Sequence, residues 1–92
     1  MTNIDFSAEL QNEKGIPYSP SVTLAKTLSE FLGTETEGKT MKLFGWHKTL
    51  QTSTELTMDD ADKTDLKQLI ENSKRLFVFI KGQLLDAIEA AK

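Results

Sequence analysis

The stretch that decides the fold is RLFVFIKGQLLDAIEAAK, residues 75–92, because two structures are compatible with it. Residues 76–80 are five apolar residues in a row, which is typical of a buried strand, and Gly82 would then supply the turn into a helix. Alternatively, the apolar residues keep helical spacing through Gly82 without a break. This continuous phase favours one helix over about residues 74–91, with Ser73 as its N-cap. The apolar positions that keep the spacing are Leu76, Ile80, Leu84, Ala87, Ile88 and Ala91.

A helix that is apolar at every position from 76 to 80 needs neighbours on nearly every side, and a 92-residue chain supplies few of them. The surplus apolar faces therefore predict a protein-interaction surface. Gly82, which has no side chain, would let another backbone approach closely. The candidate interaction surface comprises Phe77, Val78, Phe79 and Leu85, with Met41 and Phe44 on an earlier helix as second candidates.

The N-terminal segment predicts a β-hairpin at about residues 3–18. Apolar and polar residues alternate from Ile4 to Gln11, which is the period of a half-buried strand. Gly15 in the sequence NEKG suits the hairpin loop, and Ile16 and Tyr18 would pair back on the same face. Pro17 lacks an N–H donor, so the returning strand would be a short edge strand.

Three further helices are predicted at about residues 20–32, 39–50 and 58–71 from apolar residues at helical spacing. Ser19 or Ser21 would cap the first, and Thr57 with Asp60 would form a capping box on the third. A short strand is expected around Leu56. The fold class is therefore α+β and mainly helical, a single small domain over residues 1–92 with an N-terminal β-hairpin packed on about four short helices. The predicted core comprises Phe6, Leu24, Leu28, Phe31, Leu32, Leu43, Trp46, Leu50, Leu66, Leu69, Ile70, Ile80, Leu84 and Ile88.

Composition excludes several classes of function. The chain has no cysteine, which excludes a disulfide framework and a thiolate metal site. The net charge of −3 gives no overall attraction to nucleic acid or to acidic membranes. No segment approaches the roughly 20 apolar residues of a membrane span, and the start lacks the pattern of a signal peptide. We therefore expect a cytoplasmic protein without membrane association.

One segment departs from this overall acidity. No acidic residue occurs between Gly38 and Ser53. In the same segment, basic residues are interleaved with aromatic ones. That pattern can serve phosphate contact and base stacking, and it makes nucleic-acid association the alternative hypothesis. Against it, the aromatic residues fit a core helix, and lysines without arginine are weak readers of bases. The contact residues on this hypothesis are Lys39, Lys42, Trp46 and Lys48.

No catalytic, cofactor-binding or metal-binding residue is predicted. Asp60, Asp62, Thr64 and Glu71 have the spacing of a calcium loop, but Asp65 stands where that loop needs glycine, which favours a helix N-terminus. His47 is the only histidine and is expected at a half-exposed helix position. The sequence therefore indicates a protein that is not an enzyme.

Four segments together resemble a group of small phage- and prophage-encoded proteins. These segments are VTLAKTLSEFL, KLFGWHKTL, ELTMDDADKTDLKQLIE and VFIKGQLLDAIE. The resemblance implies a phage-derived assembly or accessory protein that acts through protein contacts, and it carries over no catalytic residue. With the apolar surplus, it predicts a non-enzymatic protein-interaction module whose partner is another protein or a second copy of the chain, as in a homo-oligomer.

Overall fold

A computed structural model describes residues 2–35 and 40–91. These residues form a two-stranded sheet and helices that pack on it, which confirms the α+β, mainly helical fold class. In chain order the elements are β1 (Thr2–Asp5), α1 (Leu24–Gly33), α2 (Thr40–Thr52), β2 (Glu55–Met58), α3 (Asp60–Asn72) and α4 (Val78–Ala90).

The sheet joins the predicted N-terminal strand to the short strand expected around Leu56. β1 and β2 are antiparallel, with Ile4 opposite Leu56. Both side chains are buried while their neighbours along each strand are exposed, so the period of two observed in the sequence is the pleat of a sheet with one covered face.

The returning arm of the predicted hairpin forms only near the turn. Gly15, with φ of 78°, donates its N–H to Asn12 C=O, and Gln11 forms an isolated bridge with Pro17. Ile16 and Tyr18 do not supply the second strand of the sheet; both are exposed. Leu56 and Met58 bury more apolar surface against the core than the arm interrupted by Pro17, which explains why β1 pairs with β2.

Helix α1 begins later than the predicted residue 20, and its N-cap is Thr23 rather than Ser19 or Ser21. The Thr23 hydroxyl accepts the N–H of Lys26 at 3.1 Å. Residues 22–24 are held extended before the helix because they pair with residues 8–10, through the bonds Leu10 N–H to Val22 C=O and Leu24 N–H to Ala8 C=O. The tertiary pairing therefore overrides the local capping signal.

Helix α3 is capped by Asp59, whose carboxylate accepts the N–H of Asp62 at 2.8 Å. The predicted cap Thr57 is wrong, because Thr57 belongs to β2. The helix begins at Asp60, three residues after Thr57, and the Thr57 hydroxyl donates instead to the side-chain oxygen of Asn3 on the neighbouring strand.

The segment that decided the prediction is helical from Val78 onwards, and residues 75–77 are not a strand. The helix starts later than predicted, after Phe77, which makes no side-chain cap bond. Ser73 is not the N-cap; its hydroxyl accepts the N–H of Arg75 at 3.1 Å. Arg75 fixes the bend before the helix, because its guanidinium donates to Phe31 C=O at 2.9 Å and lies 4.8 Å from the Phe31 ring centroid.

The core lies between the covered face of the sheet and the four helices. Of the predicted core residues, Leu69 and Ile80 are only half-buried and the others are buried. The core also contains five residues outside the prediction: Ile4, Leu10, Ala25, Leu56 and Met58.

Candidate functional site

The start of α4 is the most apolar exposed part of the described chain. Phe77 is 69% exposed and Val78 is 83% exposed. The rings of Phe77 and Phe79 are stacked, with 6.1 Å between centroids and 22° between planes, and Phe79 is half-buried. Two aromatic rings therefore stabilise each other beside an uncovered valine.

Gly82 lies one helical turn after Val78 on the same side of α4. A Cβ atom placed on Gly82 would have nothing within 4 Å. Glycine inside a helix costs about 1 kcal/mol relative to alanine, and no contact within the described chain requires it here. Leu85, half-buried at the edge of the core, continues the same side. We call Val78, Gly82 and Leu85 the outer stripe of α4.

The second pair of candidate residues lies on α2. Met41 is 78% exposed and Phe44 is 49% exposed, and both line a groove of about 260 Å³ beside the C-terminal end of α1. Lys48 Nζ lies 5.5 Å from the Phe44 ring centroid and partly covers it. Glu35 borders the same groove and forms an ion pair with Arg75, two residues before Phe77. An ion pair therefore links the border of this groove to the segment that precedes α4.

The three described residues of the nucleic-acid hypothesis, Lys42, Trp46 and Lys48, do not combine into a basic surface around an exposed Trp46 ring. Trp46 is only 9% exposed and belongs to the core, so its ring is not available to stack on a base. Lys42 forms ion pairs with Asp62 and Asp65, and its hydrogen bond with Asp62 is the main reason that its pKa is raised. The fourth residue of the hypothesis, Lys39, lies outside the described residues.

His47 and Ser29 join α2 to α1 but are not arranged for nucleophilic catalysis. His47 Nδ1 lies 2.6 Å from the Ser29 carbonyl oxygen, which can only accept, so Nδ1 carries a hydrogen. That nitrogen cannot take the proton of the Ser29 hydroxyl, which lies 3.1 Å away and donates to the His47 carbonyl oxygen. Ser29 is also only 4% exposed. The pair is a polar link between helices.

The acidic residues with calcium-loop spacing are part of a helix. Asp60, Asp62, Thr64 and Glu71 all lie within α3. The helix turns Asp62 to another side than Asp60 and Thr64, and its rise separates Asp60 from Glu71 by about 16 Å along the axis, so the four cannot surround one ion. Asp62 is held by Lys42, and Asp60 lies in the first turn, where a carboxylate complements the helix dipole.

A groove between β1 and α4 was missed from the sequence. Its volume is about 630 Å³, and Asn3 and Asp5 on β1 face Asp86, Ala87 and Ala90 on α4. The sequence shows the alternation of β1 and the small residues of α4. Neither pattern indicates that β1 and the end of α4 are neighbours in space.

No protein-family model matches the chain, and neither a curated protein nor a solved structure matches it. Among the described residues, no helix has both the length and the apolarity needed to cross a membrane.

Proposed function

We propose that this chain is a non-enzymatic protein-interaction module that associates with a second copy of itself through the outer stripe of α4. The observation that carries the proposal is the exposure of Phe77 and Val78 together with the open space at Gly82, where an added Cβ atom would meet no other described part of the chain within 4 Å. Contiguous patches of exposed apolar surface mark interaction sites on soluble proteins, and Phe77 and Val78 are adjacent exposed apolar residues. A bare glycine on the same side lets two helix backbones approach closely.

An antiparallel arrangement about a two-fold axis suits this stripe. With the axis near Gly82, Val78 of each copy faces Leu85 of the other, and the two glycines lie at the crossing. Such an interface is self-complementary, since each copy presents the same residues to the other. The exposed Phe77 ring and the half-buried Phe79 ring stacked on it would extend the apolar contact at both ends.

Charge complements the same arrangement. Lys74 has no ion-pair partner among residues 2–35 and 40–91, and it precedes α4. Glu89 lies near the other end of the helix, where Lys67 holds it on one side. Antiparallel packing brings Lys74 of one copy near Glu89 of the other, and it also opposes the two helix dipoles favourably.

The proposed role is that of an assembly or accessory protein of phage or prophage origin. This part of the proposal rests on the resemblance of the four quoted segments. The geometry of Ser29 and His47 removes only this pair as a nucleophile and base, because the histidine nitrogen beside the serine already carries a hydrogen.

The experiment is sedimentation velocity over a wide range of protein concentration. We expect a concentration-dependent dimer, with dissociation constants raised at least about tenfold by Phe77→Ser or Val78→Ser, because each symmetric interface loses the apolar side chain twice. Ile16→Ser is the matched control, since Ile16 is 57% exposed but lies in the N-terminal turn region. Met41→Ser tests the second apolar group. A wild-type protein that remains monomeric, or an effect confined to Met41→Ser, would refute this surface.

A further inference from the structure

The backbone of β1 has one paired edge and one open edge. Phe6 N–H donates to Thr54 C=O at 2.7 Å, in register with the pairing of β1 on β2. Antiparallel partners alternate between bonded and non-bonded pairs, so Ile4 and Phe6 direct their amides towards β2, whereas Asn3 and Asp5 direct theirs away. Across the described part of the chain, the N–H and C=O groups of Asn3 and Asp5 have no partner.

The open edge forms one wall of the groove between β1 and α4. The Asn3 side chain bonds Glu55 and Thr57 on the β2 side, so Asn3 offers mainly its backbone to the groove. The opposite wall carries the small side chains of Ala87 and Ala90. A strand added to β1 would lie about 4.8 Å from it, beside these short alanine side chains.

The groove is acidic. Asp5, Glu9 and Asp86 line it, and none of the lining residues that the structure describes is a lysine or arginine. Hydrogen bonding from Ser7 lowers the pKa of Asp5, so this carboxylate is charged at neutral pH. Leu24 contributes an apolar lining between the charged residues. Side chains of an extended ligand alternate between two sides, so basic residues at every second position would meet the carboxylates.

We propose that this groove binds an extended basic segment of another protein, which adds to β1 as a further strand. Backbone hydrogen bonds to Asn3 and Asp5 supply the docking geometry, and lysine or arginine side chains pair with the acidic lining. This is the mode of recognition in which a peptide extends an exposed sheet edge and side chains decide which peptide is accepted.

Charge also decides against a second copy of this chain as the occupant. If two β1 edges paired, Asp5 and Glu9 of both copies would be brought to one interface. Like charges opposite each other destabilise a pair of strands. A basic partner removes that repulsion, so the same carboxylates that prevent edge-to-edge pairing select the ligand.

The test is a titration with a short fluorescein-labelled peptide that alternates lysine with valine, followed by anisotropy and by amide chemical shifts. We expect the amides of Asn3, Asp5 and Ala87 to shift, and the Asn3 and Asp5 amides to become protected from hydrogen exchange. Glu9→Gln and Asp86→Asn should each weaken binding about threefold, as expected for single exposed charge pairs. Glu71→Gln, an exposed carboxylate on α3, is the matched control and should leave binding unchanged.

Two further peptides separate strand addition from simple charge attraction. A peptide with glutamate in place of lysine should not bind. A lysine peptide with N-methyl groups on alternate amides keeps its charge but loses the donors that strand addition needs. The proposal is overturned if the methylated peptide binds as tightly as the parent, if Glu9→Gln and Asp86→Asn have no effect, or if the shifts lie elsewhere. The Val78→Ser variant should bind the peptide normally, so this test is independent of self-association.

Discussion

The side-chain amide of Gln83 forms the two hydrogen bonds that a neighbouring strand would give to Gln11. Its oxygen accepts the Gln11 N–H at 2.8 Å, and its nitrogen donates to the Gln11 C=O at 2.8 Å. The same nitrogen donates to the Phe79 carbonyl oxygen at 2.9 Å within α4. One glutamine thereby holds the N-terminal segment to the last helix.

Replacing Gln83 by methionine should destabilise the fold by about 1–2 kcal/mol, because two backbone groups lose their partners while the side-chain volume is kept. Urea denaturation measures the difference in the free energy of unfolding. Gln68→Met on α3 is the control, since Gln68 is an exposed helix residue. Equal effects of the two substitutions would mean that the bonds to Gln11 contribute nothing measurable.

A methyl group on Gly33 should clash with His47. A Cβ atom there would lie 2.6 Å from His47 Cε1, and the ring cannot move freely because its Nδ1 is bonded to the Ser29 carbonyl oxygen. Overpacking costs about 1–3 kcal/mol, and alanine in a helix recovers about 1 kcal/mol of that. We therefore expect Gly33→Ala to lower the free energy of unfolding by about 1 kcal/mol.

The His47→Ala background gives the sharper form of this test. With the ring removed, Gly33→Ala should stabilise the protein, because only the helix propensity of alanine remains. The sign of the effect should therefore reverse between the two backgrounds in thermal or urea denaturation. Destabilisation in both would assign the cost to the helix end rather than to the His47 ring.

The ion pair between Lys67 and Glu89 should make the free energy of unfolding depend on pH in the acidic range. The hydrogen bond from Lys67 is the largest cause of the lowered pKa of Glu89 relative to its ordinary value of 4.5. Because the pKa of Glu89 is lower in the folded state, the charged carboxylate stabilises the fold at any pH above the ordinary pKa. This stabilisation is lost as the pH falls through the pKa of the folded state. The stability difference between wild type and Glu89→Gln should thus be present at neutral pH and disappear in acid. A stability difference that persists in acid would contradict the assignment.

The burial of Trp46 predicts its spectroscopic behaviour towards nucleic acid. Its emission should lie at the short wavelengths of a buried indole, and adding single-stranded DNA at low salt should leave it unchanged. Salt-dependent quenching by DNA would contradict this expectation and revive the nucleic-acid hypothesis.

The fold class and most of the core follow from the hydrophobic periods of the sequence. The pairing of β1 with β2 does not, because alternation identifies a strand without naming its partner. The start of α1 was misplaced for a related reason: Thr23 caps the helix because residues 22–24 pair with residues 8–10, which no local signal encodes.

Of the two candidate surfaces, one could be predicted from the sequence and the other could not. The exposure of Phe77 and Val78 agrees with the expectation that a small chain cannot cover five consecutive apolar residues. The groove beside β1 depends on where Asn3 and Asp86 meet in space, and a single sequence contains no information about that distance.

The measurement that tests self-association most directly is sedimentation equilibrium of Gly82→Ala beside Gly45→Ala. Both glycines are helical, and a Cβ atom on either would meet no described atom within 4 Å outside the adjoining helix backbone. Each substitution should therefore stabilise the monomer by up to about 1 kcal/mol. We expect wild type and Gly45→Ala to dimerise equally, and Gly82→Ala to dimerise more weakly despite its more stable fold, because its methyl groups separate the two helices. A monomeric wild type, or equal dimerisation of all three proteins, would contradict the proposed interface.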